Sequence, residues 1–261
     1  MTEILTETRL RKVLGQRPFR LYPQIGSTND VAREWAAQGA PDGAVVVAEE
    51  QTAGRGRFAR RWDASPGTAL LLSVILRLQS TQRTHMGRLP LVGALAVVEA
   101  LTTLGAQRVA IKWPNDALLN GRKVAGILAE TDWQGDTPGI GILGIGLNVR
   151  VDFSGSELET RAISAEQALG VPIDRPLLLV TLLARIDFWM ARLPDPALLD
   201  AWRTRLVTIG QRVTARLPGK GQSETMAGVA IGVDDFGALL VQADEGKLHR
   251  LVAGEVTLGT F

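Results

Sequence analysis

Apolar and polar residues follow two different patterns along the chain. Up to about residue 207, apolar runs of strand length alternate with stretches of helical periodicity, which indicates a mixed α/β domain. After Gly210 the apolar runs are short and alternating, and Gly, Pro and Asp separate them. That pattern is typical of a small all-β barrel. We therefore predict an α+β fold with two units: a mixed β-sheet domain with helices at residues 1–207 and a small β-barrel at residues 208–261.

The apolar pattern also predicts the individual elements. Runs rich in Val, Leu and Ile predict strands at residues 21–25, 44–48, 69–78, 109–112 and 139–149. Helical spacing predicts a short helix within residues 1–20 and helices at 27–39, 91–104, 176–193 and 196–206. Asn120-Gly121 between two apolar segments is the preferred two-residue hairpin turn. In the second unit we predict strands at 212–217, 226–233, 238–242, 248–252 and 256–258, with turns at 218–219, 234–237 and 244–246.

Composition narrows the class of protein. Hydrophobic residues make up 46% and charged residues 21% of the 261 residues, an ordinary globular balance. The net charge of +2 is too small to indicate nucleic-acid binding, although arginines outnumber lysines by 24 to 5. The chain has no cysteine, which excludes disulfides, thiolate nucleophiles and Cys-ligated zinc. The N-terminal residues lack the apolar core of a signal peptide, and we expect a cytoplasmic protein that does not enter a membrane.

A stretch rich in glycine and arginine, Gln51 to Trp62, lies between two predicted strands and carries the strongest candidate chemistry. Guanidinium groups are forked donors suited to phosphate or carboxylate, and glycine lets a backbone approach a ligand closely. We interpret the stretch as a flexible loop that orders over an anion, with a solvated basic loop as the alternative. Its match to the loose dinucleotide pattern G-x-G-x-x-A is weak, because the residues that follow do not resemble a helix start.

Two lysines lie on either side of the predicted hairpin turn. Lys112-Trp-Pro-Asn-Asp116 combines a cation, polar acceptors and an aromatic plate at a strand end, although Pro-Asn-Asp is also ordinary turn chemistry. Lys123 follows the turn and precedes Gly126, where a ligand can touch the backbone. The alternative for Lys123 is a lysine that keeps an edge strand soluble.

Glycines and hydroxyl residues mark two further candidate positions. Gly144 and Gly146 share one face of a predicted strand and strip it of side chains, either for a flat ligand or for tight packing. The run from Gly139 to Gly144 matches a dinucleotide fingerprint by letter, which we reject because no helix follows. Ser27-Thr28-Asn29 reads as a helix cap, and the alternative is that its hydroxyls bind a polar head group.

Together and in this order, these segments resemble the motifs of the biotin protein ligases of the bacterial type. The segments are Ser27-Thr28-Asn29, Gln51 to Trp62, Lys112-Trp-Pro-Asn-Asp116, Arg122-Lys-x-Ala-Gly-Ile127 and Gly144-x-Gly-x-Asn148. The resemblance runs from about residue 20 to the C-terminus, since the terminal β unit is similar to the family's SH3-like barrel. It implies a catalytic biotin/lipoate ligase-like domain, related to class II aminoacyl-tRNA synthetases, at 1–207 and an SH3-like β-barrel at 208–261.

The resemblance also implies a two-step reaction. Biotin and MgATP give biotinyl-5′-AMP and pyrophosphate, and one lysine of a biotin carboxyl carrier protein then attacks the mixed anhydride and releases AMP. The implied substrates and cofactors are biotin, ATP and Mg²⁺, while the protein ligands of any metal stay unknown. The first step joins two anions, so it requires positive charge that stabilises the transition state. Closure of a loop excludes water from the hydrolysable anhydride.

The family's functional residues carry over to the matching positions of this chain. Those implied for catalysis are Lys123, Arg55, Arg57, Arg60 and Asp116. Those implied for biotin are Ser27, Thr28, Asn29, Gln51, Gly54, Arg55, Lys123, Gly126, Gly144 and Gly146. Those implied for the nucleotide are Arg57, Arg60, Trp62, Lys112, Asn115, Lys123 and Asn148. Within this set, Lys123 matches the lysine that reaches both the biotin carboxylate and the α-phosphate. Ser27, Thr28 and Gln51 match the contacts to the ureido head of biotin.

Two departures from the family and several alternatives stay open. Some members carry an N-terminal DNA-binding domain; only about 20 residues precede the core here, so we expect a monofunctional ligase that does not bind DNA. Some members stack adenine on a tryptophan after the Gly-x-Asn motif, and residues 149–169 contain none, so the adenine contact is open. A lipoate or octanoate ligase shares the fold and the acyl-adenylate chemistry, and a nucleic-acid-binding protein would use the arginine loop instead. The sequence leaves a homodimer open.

Overall fold

A seven-stranded sheet forms the larger part of the computed structural model, which describes residues 4–132, 139–217, 224–252 and 254–258. Its strands in chain order are β1 (Phe19–Tyr22), β2 (Val45–Ala48), β3 (Ala69–Arg77), β4 (Val109–Lys112), β5 (Asp116–Leu119), β6 (Arg122–Asp132) and β7 (Ile140–Asn148). Across the sheet they lie in the order β1-β2-β3-β7-β6-β5-β4. β1 runs parallel to β2, and the other described pairs are antiparallel. The predicted mixed sheet is confirmed.

Helices cover the two faces of this sheet. In chain order they are α1 (Glu7–Leu14), α2 (Thr28–Ala37), α3 (Ser80–Arg83), α4 (Leu89–Thr103), α5 (Ala165–Leu169), α6 (Arg175–Met190) and α7 (Pro196–Arg203). α2 lies on β2, β3 and β7, where its small residues Ala32 and Ala36 pack in one core cluster with Val46 and Ile142. α4 packs across β4 to β7 on the other face, in a separate and larger core. Gly144 of β7 lies on the face that carries α2, directly against Asn29.

Helix α4 is apolar because it lies in the core. Most of its residues are buried, and its neighbours are the sheet, α6 and α7. Residues 86–103 are long and apolar enough to cross a membrane by length and composition, yet 67% of that window is buried inside the protein. Burial in the core accounts for this composition, since a helix that is apolar all round belongs in a protein interior or a membrane.

The C-terminal residues form a second, five-stranded antiparallel sheet. Its strands are β8 (Arg212–Leu217), β9 (Glu224–Val233), β10 (Leu239–Ala243), β11 (Leu248–Leu251) and β12 (Glu255–Leu258), in the order β11-β10-β9-β8-β12. The predicted turns at 234–237 and 244–246 join β9 to β10 and β10 to β11. The turn predicted at Pro218-Gly219 lies outside the described residues. The division of the chain between residues 207 and 208 stays a prediction.

Hydrogen bonds to the 234–237 turn join the two units. Trp113 Nε1 donates to Gly237 O at 2.9 Å, and Arg88 donates to Asp235 O at 3.0 Å. Trp113 also donates its backbone N–H to Thr208 Oγ1 at 2.9 Å. Through these hydrogen bonds Trp113, which is only 2% exposed, holds the two units together.

Some local predictions differ from the structure. The strand predicted at 21–25 lies at Phe19–Tyr22, and the short helices α3 and α5 were not predicted. The edge-strand alternative for Lys123 is wrong, because β6 lies between β7 and β5 inside the sheet. The hairpin at Asn120-Gly121 is confirmed, and its φ angles of 52° and 78° are those that a type I′ turn requires.

Candidate active site

The first turn of α2 places polar residues against the sheet. Ser27, Thr28 and Asn29 are almost fully buried there. Ser27 occupies the N-cap position, but its hydroxyl makes no capping hydrogen bond, so capping does not account for this side chain. Thr28 donates its backbone N–H and its hydroxyl to Gln51 Oε1, at 2.7 and 3.0 Å. The first residue of the arginine-rich loop is thereby fixed beside the start of α2.

Ser73 completes this polar group from the floor of the sheet. Its hydroxyl is fully buried on β3 and lies 2.6 Å from Asn29 Oδ1 and 2.8 Å from Thr28 Oγ1. Asn29 Nδ2 also donates to Glu130 Oε2 at 2.7 Å. Sequence reasoning missed both Ser73 and Glu130. The available signal for Ser73 was a single hydroxyl within the apolar run 69–76.

The glycines of β6 and β7 make room for side chains above the sheet. A Cβ at Gly144 would lie 2.2 Å from Asn29 Oδ1. One at Gly146 would lie 2.5 Å from Trp62 Cε2, and Gly126, its partner across the strands, faces the same indole at 2.9 Å. The bare face that the sequence predicted is therefore present, and Asn29 and Trp62 cover it. Trp62 Nε1 is buried there without a hydrogen-bond partner among the described residues.

Gly144, Gly146 and Gly126 form a row of glycines across β7 and β6. Lys123 and Asp116 form an ion pair at the end of this glycine row that lies beside Gly126. Lys123 Nζ lies 2.6 Å from Asp116 Oδ1, and both side chains are partly exposed. The same ammonium lies 5.6 Å from the Trp62 ring centroid, within the range of a cation–π contact. A Cβ at Gly126 would lie 3.4 Å from Lys123 Nζ. A cation, a carboxylate and an aromatic ring therefore meet beside Gly126.

The arginines of the loop have different environments. Arg57 is half-buried; burial lowers its pKa, and the nearby Asp116 carboxylate opposes that shift. Arg55 lies instead against α2, where it donates to the two Asp30 oxygens at 2.5 and 2.6 Å. The hydrogen bond from Arg55 lowers the pKa of the Asp30 carboxyl. Arg60 is exposed. The structure thus brings Arg57, and not Arg55, toward Lys123 and Asp116.

Gly54 is required by the shape of the loop itself. Trp62 donates its N–H to Gly54 O at 3.0 Å, and a Cβ at Gly54 would lie 2.3 Å from Trp62 O. Gly56 donates to Arg60 O at 2.7 Å in the same loop. The loop is therefore a tight hairpin whose two arms are joined by backbone hydrogen bonds, and Trp62 lies at the base of one arm.

Lys112, Asn115 and Asn148 lie at the margin of the row. Lys112 ends β4, directly before the turn to β5. Asn115 Nδ2 donates to Ile127 O at 2.6 Å and so fixes that turn to β6. Asn148 is buried, and its Nδ2 donates to Ile163 O at 3.4 Å. Asn115 and Asn148 therefore have structural partners besides the nucleotide role that the resemblance implies.

A cavity of about 190 Å³ lies between the two units, beside Arg57. Arg57, Asn115 and Trp202 line it from the first unit, and Phe236 and Val252 line it from the second. Phe236 is 72% exposed on the 234–237 turn, and sequence reasoning missed it. Among the described residues, no group of three His, Cys, Asp or Glu side chains lies close enough to hold a metal ion. The second unit thus adds apolar walls to a space that Arg57 also reaches.

Comparison with known proteins agrees with this arrangement. Residues 21–148 match the biotin/lipoate A/B protein ligase family, and residues 208–259 match the biotin protein ligase C terminal domain. The bifunctional ligase/repressor BirA of Bacillus subtilis (strain 168) is 35% identical over 98% of this chain and 79% of its own length. The biotin–[acetyl-CoA-carboxylase] ligase of Mycobacterium tuberculosis is 37% identical over 93% of this chain and 89% of its own length.

A solved structure has the same fold over nearly the same length. The biotin protein ligase from Aquifex aeolicus, in complex with biotin and ATP, superposes with a TM-score of 0.75 at 27% identity. The match covers 93% of this chain and 98% of that one. The sequence motifs, the glycine row with Lys123 and Arg57, and these relatives all indicate the same family. The chain therefore belongs to the biotin protein ligases, within the biotin/lipoate A/B protein ligase family.

Proposed function

We propose that the protein activates biotin with ATP to biotinyl-5′-AMP and transfers the biotin to a lysine of a biotin carboxyl carrier protein, releasing AMP and pyrophosphate. The observation that carries this proposal is a continuous row on one face of the sheet. From one end to the other, the row contains Gln51, Thr28, Asn29, Gly144, Gly146, Gly126 and Lys123. This order suits a ligand whose polar head meets the polar side chains, whose flat middle lies on the glycines and whose anionic end meets Lys123.

The buried polar group supports binding of a ureido head. A ureido group has two N–H donors and one carbonyl acceptor, so it needs donors and acceptors from the protein. The buried hydroxyls of Thr28 and Ser73, the buried amide of Asn29 and the partly buried amide of Gln51 offer both. These groups hydrogen-bond to one another, so a ligand would exchange partners instead of leaving buried groups unsatisfied.

Lys123 and Arg57 supply the positive charge that the first step requires. In that step a biotin carboxylate oxygen attacks the α-phosphorus of ATP and pyrophosphate leaves, so two anions come together. Lys123 beside Asp116, and the half-buried Arg57 near the same carboxylate, lie at the charged end of the row. Arg57 stays charged at neutral pH although burial lowers its pKa, because a guanidinium is not deprotonated in proteins.

Asp116 and the cavity beside Arg57 support binding of MgATP. Mg²⁺ in nucleotide sites is usually held by one or two carboxylates together with phosphates and waters. Asp116 supplies one such carboxylate. The described residues contain no cluster of three metal-ligating side chains, so we expect the Mg²⁺ to enter with ATP. Phe236 at the cavity is our candidate for the adenine contact, in place of a tryptophan within residues 149–169.

The second step uses the same covered row. The amine of the acceptor lysine attacks the acyl carbon of the adenylate, and AMP leaves as the bond between the acyl carbon and the phosphate oxygen breaks. The Trp62 indole packs directly on Gly146 and Gly126, so a ligand in the row displaces it outward, where it can cover the mixed anhydride and exclude water. Asp116, beside Lys123, is the carboxylate available to orient the incoming amine.

Transfer to a purified carrier domain tests this proposal. We expect the protein, with biotin and ATP, to add one biotin to the apo carrier domain, as measured by intact mass. A carrier domain whose acceptor lysine is replaced by arginine is the control and stays unmodified. Transfer of a lipoyl or octanoyl group in preference to biotin would show that the chain works in the other branch of the family.

Three further properties stay predictions. The net charge of +2 argues against stable binding to duplex DNA, which a titration at physiological salt tests. The strands β1 and β4 are the edges of the larger sheet, so a homodimer formed by edge pairing is open to a light-scattering measurement. The cytoplasmic location follows from composition alone and is tested by fractionation of the source cells.

A further inference from the structure

One buried carboxylate, Glu49, lies outside the row but directly at the base of the arginine-rich loop. Glu49 follows β2 and is 2% exposed. Its Oε1 accepts from Leu5 N at 2.6 Å and from Arg175 at 3.0 Å. Its Oε2 accepts from Gly67 N at 2.7 Å and from the same guanidinium at 3.0 Å. Each oxygen therefore has one backbone donor and one donor from Arg175, which is itself 2% exposed.

These contacts close the loop at both ends. Glu49 immediately precedes residues 50–66, the segment that contains the whole of Gln51 to Trp62, and Gly67 immediately follows it. The side chain of the first flanking residue thus holds the backbone of the second. Arg175 Nη1 also donates to Ala69 O at 3.1 Å, so the same guanidinium holds the start of β3. The ion pair therefore adds a side-chain clamp at the point where the β2–β3 ladder, which ends at Ala48 and Leu71, opens into the loop.

We infer that Glu49 and Arg175 are positioning residues of the ligase reaction: their ion pair sets the entry and exit of the loop, so that Gln51, Arg57 and Trp62 reach the row in fixed register. The inference rests on the proposed function of that loop. Within the part of the chain that the structure describes, the Glu49 side chain hydrogen-bonds to Leu5, Gly67 and Arg175 and to no row residue, so its effect on the reaction is indirect.

The physical reason is the cost of ordering the loop. A segment whose two ends are fixed close together has already lost much of the conformational freedom that binding would otherwise remove. If the clamp is broken, the β2–β3 ladder still joins the strands, but the segment that it leaves open gains freedom that ligand binding must remove, and apparent affinity falls. A fully buried carboxylate is tolerated here because all four donors satisfy it.

The substitution Glu49→Gln tests this inference. A glutamine keeps the volume but has one acceptor oxygen, so it cannot satisfy Leu5 N–H, Gly67 N–H and Arg175 together. We expect amide hydrogens within residues 50–66 to exchange about tenfold faster. We expect the KM for biotin to rise about tenfold with kcat within about threefold, because the loop still closes once ligands are bound.

Two further variants separate positioning from stability. Glu99→Gln is the control for an ion pair elsewhere: partly exposed Glu99 accepts from Arg185 and from Trp189 Nε1, and it joins α4 to α6 away from the loop. It is expected to lower the melting temperature without changing exchange in 50–66 or the KM. In Glu49→Gln the buried Arg175 guanidinium has lost its carboxylate partner. The double variant Glu49→Gln/Arg175→Met removes this uncompensated charge as well. It is expected to regain melting temperature and to keep the fast exchange and the raised KM.

The outcomes are distinguishable. Exchange in 50–66 and a KM for biotin that stay at wild-type values in Glu49→Gln would overturn the inference, as would equal changes in Glu99→Gln. Recovery of the KM together with the melting temperature in the double variant would also overturn it, since the role would then be stability alone. Failure of the wild-type protein to use biotin would refute the proposed function, whereas the exchange comparison would still test the clamp.

Discussion

Gly146→Ala is expected to disable the reaction through Trp62 without unfolding the protein. A Cβ at this position would lie 2.5, 2.7 and 2.9 Å from three indole atoms, whereas ordinary contact begins at 3.4 Å. The indole must therefore retreat by about 1 Å. Strand β7 cannot give way, because it is hydrogen-bonded to β3 on one side and to β6 on the other. Trp62 belongs to a loop and moves instead.

The size of the effect follows from this displacement. Overpacking of this kind costs about 1–3 kcal/mol of folding free energy, so the melting temperature falls by several degrees. Displacement of the loop that carries Arg57 by about 1 Å is expected to lower the rate of adenylate formation by about 100-fold. The rate is measured in single turnover with saturating biotin and ATP, and stability is measured by thermal unfolding of the same preparation.

Gly141→Ala is the matched control on the same strand. A Cβ there would lie 2.7 Å from Leu89 Cδ1, on the face that packs against α4. The two substitutions thus create clashes on opposite faces of β7, and the one at Gly141 involves only the end of a leucine side chain. We expect Gly141→Ala to lose some stability and to form the adenylate at close to the wild-type rate. A normal rate in Gly146→Ala, or an equal loss of rate in Gly141→Ala, would refute the reasoning.

The remaining predictions concern charge. Lys123→Ala and Arg57→Ala are each expected to lower the rate of adenylate formation by about 100-fold with little change in melting temperature. Both side chains lie at the ligand row and not in the core. Lys247→Ala, in an exposed turn, is the control. Normal turnover in both variants would remove their assigned roles. The pKa of Asp30 is lowered by its hydrogen bond from Arg55, so this contact contributes above the unfolded pKa of about 4 and is lost as pH falls through the lower folded value. Proteolytic protection of the loop should therefore hold at neutral pH and weaken only in that acidic range, and weakening between pH 8 and pH 6 would contradict this contact.

Much of the fold could be predicted because local signals agreed with the final environment. Asn120-Gly121 adopts the positive φ angles that its residue types favour, and the apolar runs became strands close to the predicted bounds. The bare face at Gly144 and Gly146 also follows from strand alternation alone. In each case the residues nearby in sequence decide the conformation.

The parts that could not be predicted depend on residues distant in sequence. Lys123 reads as an edge-strand lysine until the strand order places β6 inside the sheet. The sequence predicts Trp113 as an aromatic plate at a strand end, and the structure adds that its indole donates to Gly237 of the second unit. Glu49 drew no prediction, because its partner Arg175 lies far along the chain. Sequence spacing contains no information on such partners, so their roles emerge only from tertiary contacts.

The most direct measurement of the central claim is ATP–pyrophosphate exchange with biotin, lipoate and octanoate in parallel. Exchange reports the first step alone and needs no carrier protein, so it isolates the chemistry assigned to the row that ends at Lys123. The account predicts exchange that depends on biotin, requires Mg²⁺ and is lost in Lys123→Ala. Exchange driven by lipoate or octanoate and not by biotin would contradict it.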